Sequence, residues 1–245
     1  MTITGTMICM ICGVALFSSF IHGAVGLGYG MIAMGIMTMF VPYANCAAIV
    51  SLELLLLTVQ IVFTLRKNID WHLVLVPTLV MLVGKVLGIV ILMNLEGSVM
   101  KLLLGGTLVL FSINGLFVKS DRLRVKGNRI NAVVFPFLGG LFGGMFNVAG
   151  PAAALYYQAA CGEDTKKYSA CLNFTFVPSA LVGVAMHAYY GNFSSGVLAA
   201  SGISLLAVIL GTYLGVRLFV KIDHVRLKKI TYTYIGLMGI VICLT

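Results

Sequence analysis

The sequence predicts an all-α polytopic membrane protein made of two inverted repeats, each combining a broken, re-entrant helical hairpin with three transmembrane helices. Three observations predict this class: the apolar composition, two glycine-interrupted apolar segments, and the distribution of basic residues. Of the 245 residues, 60% are hydrophobic and 9% are charged, and the mean hydropathy is +1.08. Soluble domains are roughly 45–50% apolar, so the chain is expected to lie in a lipid bilayer.

Six apolar runs are long enough to cross about 30 Å of hydrocarbon, which takes roughly 20 residues each. They are residues 47–65, 73–95, 99–118, 168–190, 196–220 and 230–244. Two more apolar segments, residues 7–41 and 130–160, are too long for a single helix, and each contains a glycine-rich stretch. These stretches are HGAVGLGYG, starting at His22, and GGLFGGMFNVAGP, ending at Pro151. We expect a helix break in each, followed by a short helix of about a dozen residues.

The basic residues indicate how these segments cross the membrane. Eight simple crossings would place seven basic residues on one side and eight on the other, although such residues collect on the cytoplasmic side. Two re-entrant hairpins instead place the connections around residues 66–67, 119–129, 166–167 and 217–229 on one side. Of the 16 basic residues, only Lys85 and Lys101 then lie elsewhere. This arrangement predicts both termini outside, and the odd number of crossings in each half inverts the second half.

Weak internal similarity supports a duplication. VGLGYGMIA at residue 25 aligns with MFNVAGPAA at residue 145, which places Gly30 over Gly150. AIVSL at residue 48 aligns with ACLNF at residue 170, which places Ser51 over Asn173. The predicted organisation is a first membrane repeat (residues 1–118), a cytoplasmic basic linker (119–130) and a second membrane repeat (131–245).

The two predicted breaks point to an anion site. A helix break at membrane depth survives only where it is buried in protein or lines a watery cavity. The first N–H groups of the helix after each break have no intrahelical acceptor, and with the helix dipole they attract an anion. The candidate site residues at the breaks are Gly28, Tyr29, Gly30, Asn147 and Gly150. The alternative is that the glycines only allow helices to pack closely.

The glycine-rich stretch followed by Pro42, its altered copy GGLFGGMFNVAGP, and the AAIVSL motif resemble the sulfite exporter TauE/SafE family of membrane permeases, also called the TSUP group. The resemblance implies a multi-pass protein of the bacterial inner (cell) membrane that transports a small sulfur-containing anion, such as sulfite or an organosulfonate. The chain departs from the usual glycine triplets at Tyr29 and at Val148–Ala149. A secondary transporter working by alternating access is expected, with a proton as a candidate coupling ion. The alternative is an anion channel or uniporter of the same architecture.

Charged residues inside predicted spans are functional candidates by default. Glu53 and Lys85 each lie about 20 Å from the same connection at 1.5 Å per residue, so the sequence allows a salt bridge between them. That bridge would tie two helices together. The functional alternatives are that Glu53 takes up the coupling proton and that Lys85 contacts the anion.

Neutral polar residues complete the candidate substrate site. His22 stands beside the first break, where it either donates to the anion or caps a buried carbonyl. An oxyanion needs several neutral donors, and three further residues are expected to line the pocket together with Asn147: Ser51, Asn173 and Thr175. The alternative is that Ser and Asn side chains form hydrogen bonds between helices.

Other function classes lack their motifs. No GxxxxGK[ST] loop indicates an ATPase, and neither HExxH nor GxSxG indicates an enzyme. The net charge of +9 comes from short connections rather than a basic face, so no nucleic-acid partner is expected. No cofactor or metal is expected, and Cys9 and Cys12 are interpreted as small apolar residues. The expected partners are a small anion and the lipid bilayer, with a proton as a candidate coupling ion, and the sequence leaves the oligomeric state open.

Overall fold

The structure is a computed structural model that describes residues 4–117, 127–218 and 224–244. Ten α-helices lie in these ranges. They are α1 (Gly5–Val25), α2 (Tyr29–Met37), α3 (Tyr43–Leu65), α4 (Trp71–Asn94), α5 (Gly97–Phe117), α6 (Asn131–Phe146), α7 (Gly150–Cys161), α8 (Thr165–Tyr189), α9 (Ser195–Leu218) and α10 (His224–Leu244). A turn of 3-10 helix, Arg66–Asn68, extends α3.

Six helices, namely α1, α3, α4, α5, α8 and α9, are long and apolar enough to cross a membrane. Exposed apolar side chains recur along their outer faces, as at Leu75, Leu79 and Val83 of α4. A helical stripe of this kind suits contact with lipid rather than water. The prediction of an all-α polytopic membrane protein is therefore confirmed.

Both predicted breaks are present, and each joins a longer helix to a shorter one. In the first segment, α1 has 21 residues and α2 has nine. In the second, α6 has 16 residues and α7 has 12. The helix α2 is shorter than the dozen residues expected, because the chain turns after Met37 and the residue preceding Pro42 is disfavoured in a helix. Helix α1 alone is about 30 Å long at 1.5 Å per residue.

The helix contacts repeat between the two halves. Helix α1 packs along α9 as α6 packs along α4, while α3 pairs with α8 and α5 pairs with α10. The contact of α3 with α9 likewise corresponds to that of α8 with α4. Exchanging the first five helices with the last five reproduces this set of contacts, as a duplicated chain predicts. All of these contacts join one half to the other, so the halves interlock.

The two equivalent crossings, α1 with α9 and α4 with α6, use the same close-packing device. Small residues spaced four apart face each other across both crossings, and a Cβ added to any of their glycines would meet the partner helix at under 3 Å. They are Ser19 and Gly23 against Gly211 and Gly215, and Gly84 and Gly88 against Gly140 and Gly144. Small residues at this spacing let membrane helices approach closely. The packing interpretation therefore holds for these glycines.

Contacts at the helix ends identify connections that share one end of the bundle. Lys167 Nζ lies 2.8 Å from Asp70 Oδ2, so the connection after α3 lies beside the start of α8. Eight simple crossings would place these residues on opposite sides of the membrane, so that alternative is wrong. At the other end, Asn192 Nδ2 lies 3.6 Å from Met93 Sδ. Most of the predicted linker, residues 119–126, lies outside the described residues, and α6 begins at Asn131.

Candidate anion-binding site

The two helix breaks meet inside the bundle. A Cβ added to Gly30 would overlap the backbone carbonyl of Asn147, and one added to Gly150 would lie 3.3 Å from Leu27 Cβ. These contacts are reciprocal, because the alignment that places Gly30 over Gly150 also places Leu27 over Asn147. The first turns of α2 and α7 therefore meet at one point.

A partly open cavity lies at this meeting point. Eight of the candidate residues line it: His22, Gly28, Tyr29, Gly30, Ser51, Lys85, Asn147 and Gly150. It offers about 40 Å³ to the centres of water-sized molecules, and one water needs roughly 10–15 Å³ on this measure. The cavity therefore holds about three or four water-sized molecules.

Backbone donors at two helix N-termini border the cavity. Gly30 and Met31 belong to the first turn of α2 and Gly150 opens α7, and all three line the cavity. Such N–H groups have no intrahelical acceptor and carry the positive end of the helix dipole. Pro151, in the first turn of α7, loses nothing there by lacking an N–H.

Lys85 supplies a buried basic side chain that is 3% exposed. Its Nζ donates to the Gly143 carbonyl at 2.6 Å and to Asn147 Oδ1 at 3.2 Å. An ammonium has three donors, so one remains for a ligand. Gly183 of α8 makes room for the side chain, because a Cβ there would lie 2.8 Å from Lys85 Cε.

Asn147 connects the helices around the cavity. Besides the bond from Lys85, its Oδ1 accepts from Ser51 Oγ at 3.2 Å, and its Nδ2 donates to the Ala47 carbonyl at 2.9 Å. Helix α6 ends at this residue, whose φ is +56°. This value lies in the left-handed region, which Asn tolerates better than most residues. One residue thus forms the break and holds α3 and α4 against it.

His22 holds the start of α2. Its Nδ1 accepts from the Tyr29 backbone N–H at 3.3 Å, and its Nε2 lies 3.1 Å from Asn173 Oδ1. Because Nδ1 accepts, Nε2 carries the hydrogen and donates to Asn173 in this arrangement. Both ring nitrogens are therefore engaged in a structural link, although the ring lines the cavity.

Two candidate residues on α8 do not line the cavity, in contrast to expectation. Asn173 lies behind His22, and its Nδ2 donates to the Ser169 carbonyl at 2.9 Å. Thr175 faces another side of α8, where its hydroxyl contacts Thr78 and Tyr157. Spacing along one helix does not reveal which face of α8 meets α4 and α7, so the sequence misplaced both.

Glu53 also lies outside the cavity wall, connected to it through Tyr29. The Tyr29 hydroxyl donates to Glu53 Oε2 at 2.6 Å, and Glu53 is fully buried. Its Oε1 has no hydrogen-bond partner among the described residues. Ser204 of α9 lies beside this carboxylate.

The salt bridge between Glu53 and Lys85 that the sequence allowed is absent. Within the ranges that the structure describes, the ion pair found is that of Lys167 with Asp70. The reason lies in the packing: α3 contacts mainly α8 and α9, whereas α4 contacts mainly α6 and α8. The carboxylate and the ammonium are thus each placed beside a different partner.

Sequence reasoning missed two hydroxyl residues that line the cavity, Thr58 and Ser179. Thr58 lies seven residues after Ser51, on the same helix face, so helical spacing was a usable signal. Ser179 carried no such signal, because small residues are common in membrane helices.

The fold and the cavity together define a class: a polytopic helical membrane protein with a central cavity between two broken helices. The family model described as Sulfite exporter TauE/SafE matches residues 11–242, and the chain belongs to this family. The family is one of membrane exporters of sulfur anions, so the chain is a membrane transporter. Neither the curated proteins nor the solved structures gave a significant match.

Proposed function

We propose that the protein is a secondary transporter of a small sulfur-containing anion in the bacterial inner membrane, with sulfite as the preferred substrate. The observation that carries this proposal is the convergence of two helix N-termini and the Lys85 ammonium on one cavity. Backbone N–H groups and a desolvated cation together favour a compact oxyanion.

The cavity size favours sulfite over a larger sulfonate. Sulfite has four non-hydrogen atoms, which is about what the 40 Å³ cavity accommodates. Taurine-sized sulfonates carry an additional chain, which would extend beyond this volume, past wall residues such as Leu54 or Phe176.

Alternating access between inverted halves is the proposed mechanism. The repeated helix contacts and the meeting of the two breaks support it, because transporters of this kind bind substrate where discontinuous helices of two repeats face each other. Rocking of one half against the other would expose the cavity to each side in turn.

Glu53 is the proposed proton-coupling residue. Its unpartnered Oε1 can accept a proton, and its Oε2 is bonded to Tyr29, which lines the cavity. Protonation removes the negative charge that strengthens the bond from the Tyr29 hydroxyl. Because Tyr29 opens α2, the state of the carboxylate is linked to one wall of the anion site.

The test is uptake of radiolabelled sulfite by proteoliposomes under an imposed pH gradient, for the wild type, Lys85→Gln and Glu53→Gln. We expect Lys85→Gln to lower kcat/KM by about 30-fold or more, as for removal of a buried charged partner. Glu53→Gln should retain flux down a sulfite gradient but lose its response to the pH gradient.

Matched controls are Lys101→Gln and Glu96→Gln, which remove the same charges near the start of α5, away from the cavity. Both should transport like the wild type. Wild-type flux that ignores the pH gradient and survives Glu53→Gln would replace the coupled carrier by a uniporter or channel. Full transport activity of Lys85→Gln would contradict the proposed anion site.

A further inference from the structure

We propose that His187 forms a second anion-binding station, between the cavity and the end of the bundle opposite the basic connections. Its Nε2–H donates a hydrogen bond to the oxyanion as the ion moves between the Lys85 cavity and that end. His187 lies in the last turn of α8, two residues before Tyr189. The inference rests on the proposed function, because it concerns the path of the same transported anion.

His187 lies on the face of α8 that lines the cavity. Phe176 and Ala180 belong to the cavity wall. Gly183 and His187 follow Ala180 at the intervals of three and four residues that place side chains on one helix face. Gly183 lies against Lys85, because a Cβ added to Gly183 would be 3.1 Å from Lys85 Nζ. At 1.5 Å per residue, His187 lies about 6 Å farther along α8 than this contact.

The imidazole of His187 has one engaged nitrogen and one free nitrogen. Asn192 Nδ2 lies 3.0 Å from His187 Nδ1, and an amide nitrogen can only donate. Nδ1 therefore accepts, which leaves the hydrogen on Nε2. His187 is fully buried, and its Nε2 has no hydrogen-bond partner among the described residues. A buried donor of this kind requires a bound water or ion as its partner, and a donor suits an anion rather than a cation.

Asn192 holds the ring in this state from the connection after α8. Its backbone N–H donates to the His187 carbonyl at 2.9 Å. Its Nδ2 also donates to Met93 Sδ of α4 at 3.6 Å. The amide is thus tied to both α8 and α4, and it keeps Nδ1 of the imidazole occupied while Nε2 stays available to a ligand.

His22 provides an internal comparison, because it is buried as well. Both of its ring nitrogens are engaged, by the Tyr29 backbone N–H and by Asn173, as expected of a histidine that only links helices. His187 differs in its free Nε2. An ion passes through a membrane protein when several sites each bind it weakly enough to release it. One neutral N–H donor suits such a weak station beside the stronger site at Lys85.

The first test is an NMR titration of sulfite into purified protein whose histidine rings carry nitrogen-15. The signals of His187 are identified by their absence in His187→Gln. We expect sulfite to shift the Nε2 signal of His187 in the wild type and, at higher concentration, in Lys85→Gln. A shift confined to the wild type would mean that the ring only senses occupancy of the cavity, and it would overturn the station while leaving the proposed function intact. Absence of sulfite binding by the wild type would overturn both.

The second test compares sulfite uptake by proteoliposomes containing His187→Gln, His187→Asn or His187→Leu, with the exposed His72→Gln as the control. A Gln amide can place an N–H near the position of Nε2. An Asn amide reaches only the position of Nδ1, where it can still accept from Asn192, and Leu replaces neither nitrogen. The three variants therefore separate the proposed donor from the structural link.

We expect the Kd of sulfite to stay within about twofold of the wild type in all variants, because the cavity ligands are unchanged. The kcat of uptake should fall about tenfold in His187→Asn and His187→Leu, and about threefold or less in His187→Gln, since only the Gln variant keeps a donor. Wild-type uptake by His187→Leu would overturn the station. Equal losses in His187→Asn and His187→Gln would also overturn it, because they would assign the effect to packing of the ring.

Discussion

The two helix breaks differ in both backbone conformation and side chains. The first break uses glycines, with φ of +86° at Gly26 and +117° at Gly28. The second uses Asn147, with φ of +56°. Where Asn147 places an amide between Ser51 and Lys85, the matched position of the first break holds the apolar Leu27.

This difference separates two tasks. The second break positions Lys85 beside the cavity, because Asn147 Oδ1 accepts a hydrogen bond from Lys85 Nζ. The first break carries Tyr29, whose hydroxyl leads away from the cavity to Glu53. Aligning the packing glycines of α4 with those of α9, Gly84 with Gly211, also aligns Lys85 with Thr212. The position in α9 that corresponds to Lys85 is therefore uncharged. The two halves therefore share a pattern of helix contacts, while under the proposed function anion binding and proton coupling are divided between them.

The largest expected effect comes from Gly30→Ala, which removes the close approach on which both breaks depend. The added Cβ would overlap the Asn147 carbonyl, and backbone has little freedom to move away. Overpacking of this kind costs about 1–3 kcal/mol or more. We expect loss of monodisperse protein in detergent, measured by size-exclusion chromatography of a fluorescent fusion.

Gly13→Ala is the matched control, because no atom lies within 4 Å of a Cβ added there. It should leave yield and melting temperature unchanged or slightly raised, since Ala favours a helix by about 1 kcal/mol over Gly. Normal folding of Gly30→Ala would show that the two breaks do not meet as described.

The next largest effect comes from Asn147→Gly, which makes the second break resemble the first. Glycine keeps the positive φ but removes the hydrogen bonds to Ser51, Lys85 and the Ala47 carbonyl. We expect folded protein whose sulfite affinity falls about 10-fold or more, because each lost bond contributes about 1 kcal/mol. Calorimetric titration measures the sulfite affinity. An unchanged affinity would contradict the proposal that the second break holds the anion.

Tyr29→Phe should have a smaller effect, confined to coupling. It removes the hydroxyl that donates to Glu53 and leaves the ring that lines the cavity. Sulfite affinity should stay within about threefold of the wild type, while the response of uptake to a pH gradient is reduced. Tyr43→Phe is the matched control, since that hydroxyl donates to the Met145 carbonyl instead. An equal response to the pH gradient in both variants would contradict a role of the Tyr29 hydroxyl in proton coupling.

Much of this arrangement was readable from the sequence because bilayer physics constrains it strongly. Glycines at Gly28 and Gly30 inside a segment too long for one helix left few alternatives to a break. Charged and polar residues within apolar spans, such as Lys85, pointed to the cavity. Helix neighbours were not readable: nothing in the order of α3 and α4 reveals that α8 contacts both of them. The allowed Glu53–Lys85 bridge and the positions of Asn173 and Thr175 failed for that reason.

The smallest expected effect concerns the salt bridge between Asp70 and Lys167 at one end of the bundle. The Lys167 ammonium, hydrogen-bonded to Asp70, lowers the pKa of that carboxyl. The carboxylate therefore stabilises the fold above its ordinary pKa of about 3.9, and this contribution is lost as pH falls through the lowered value. Because both side chains are partly exposed, the contribution is within about 1 kcal/mol.

Asp70→Asn should thus lower the melting temperature slightly at pH 7, and the difference from the wild type should vanish in strong acid. Thermal unfolding across this pH range measures it, with Glu163→Gln as a control carboxylate in the connection before α8. A difference that persists in strong acid would mean that the amide disturbs the fold by another route.

The most direct measurement is a calorimetric titration of sulfite into purified wild type, Lys85→Gln and Lys101→Gln. Binding at the meeting point of α2 and α7 predicts a Kd about 30-fold or more higher for Lys85→Gln, with Lys101→Gln within about twofold of the wild type. Equal affinity in Lys85→Gln and the wild type would contradict an anion site at this cavity.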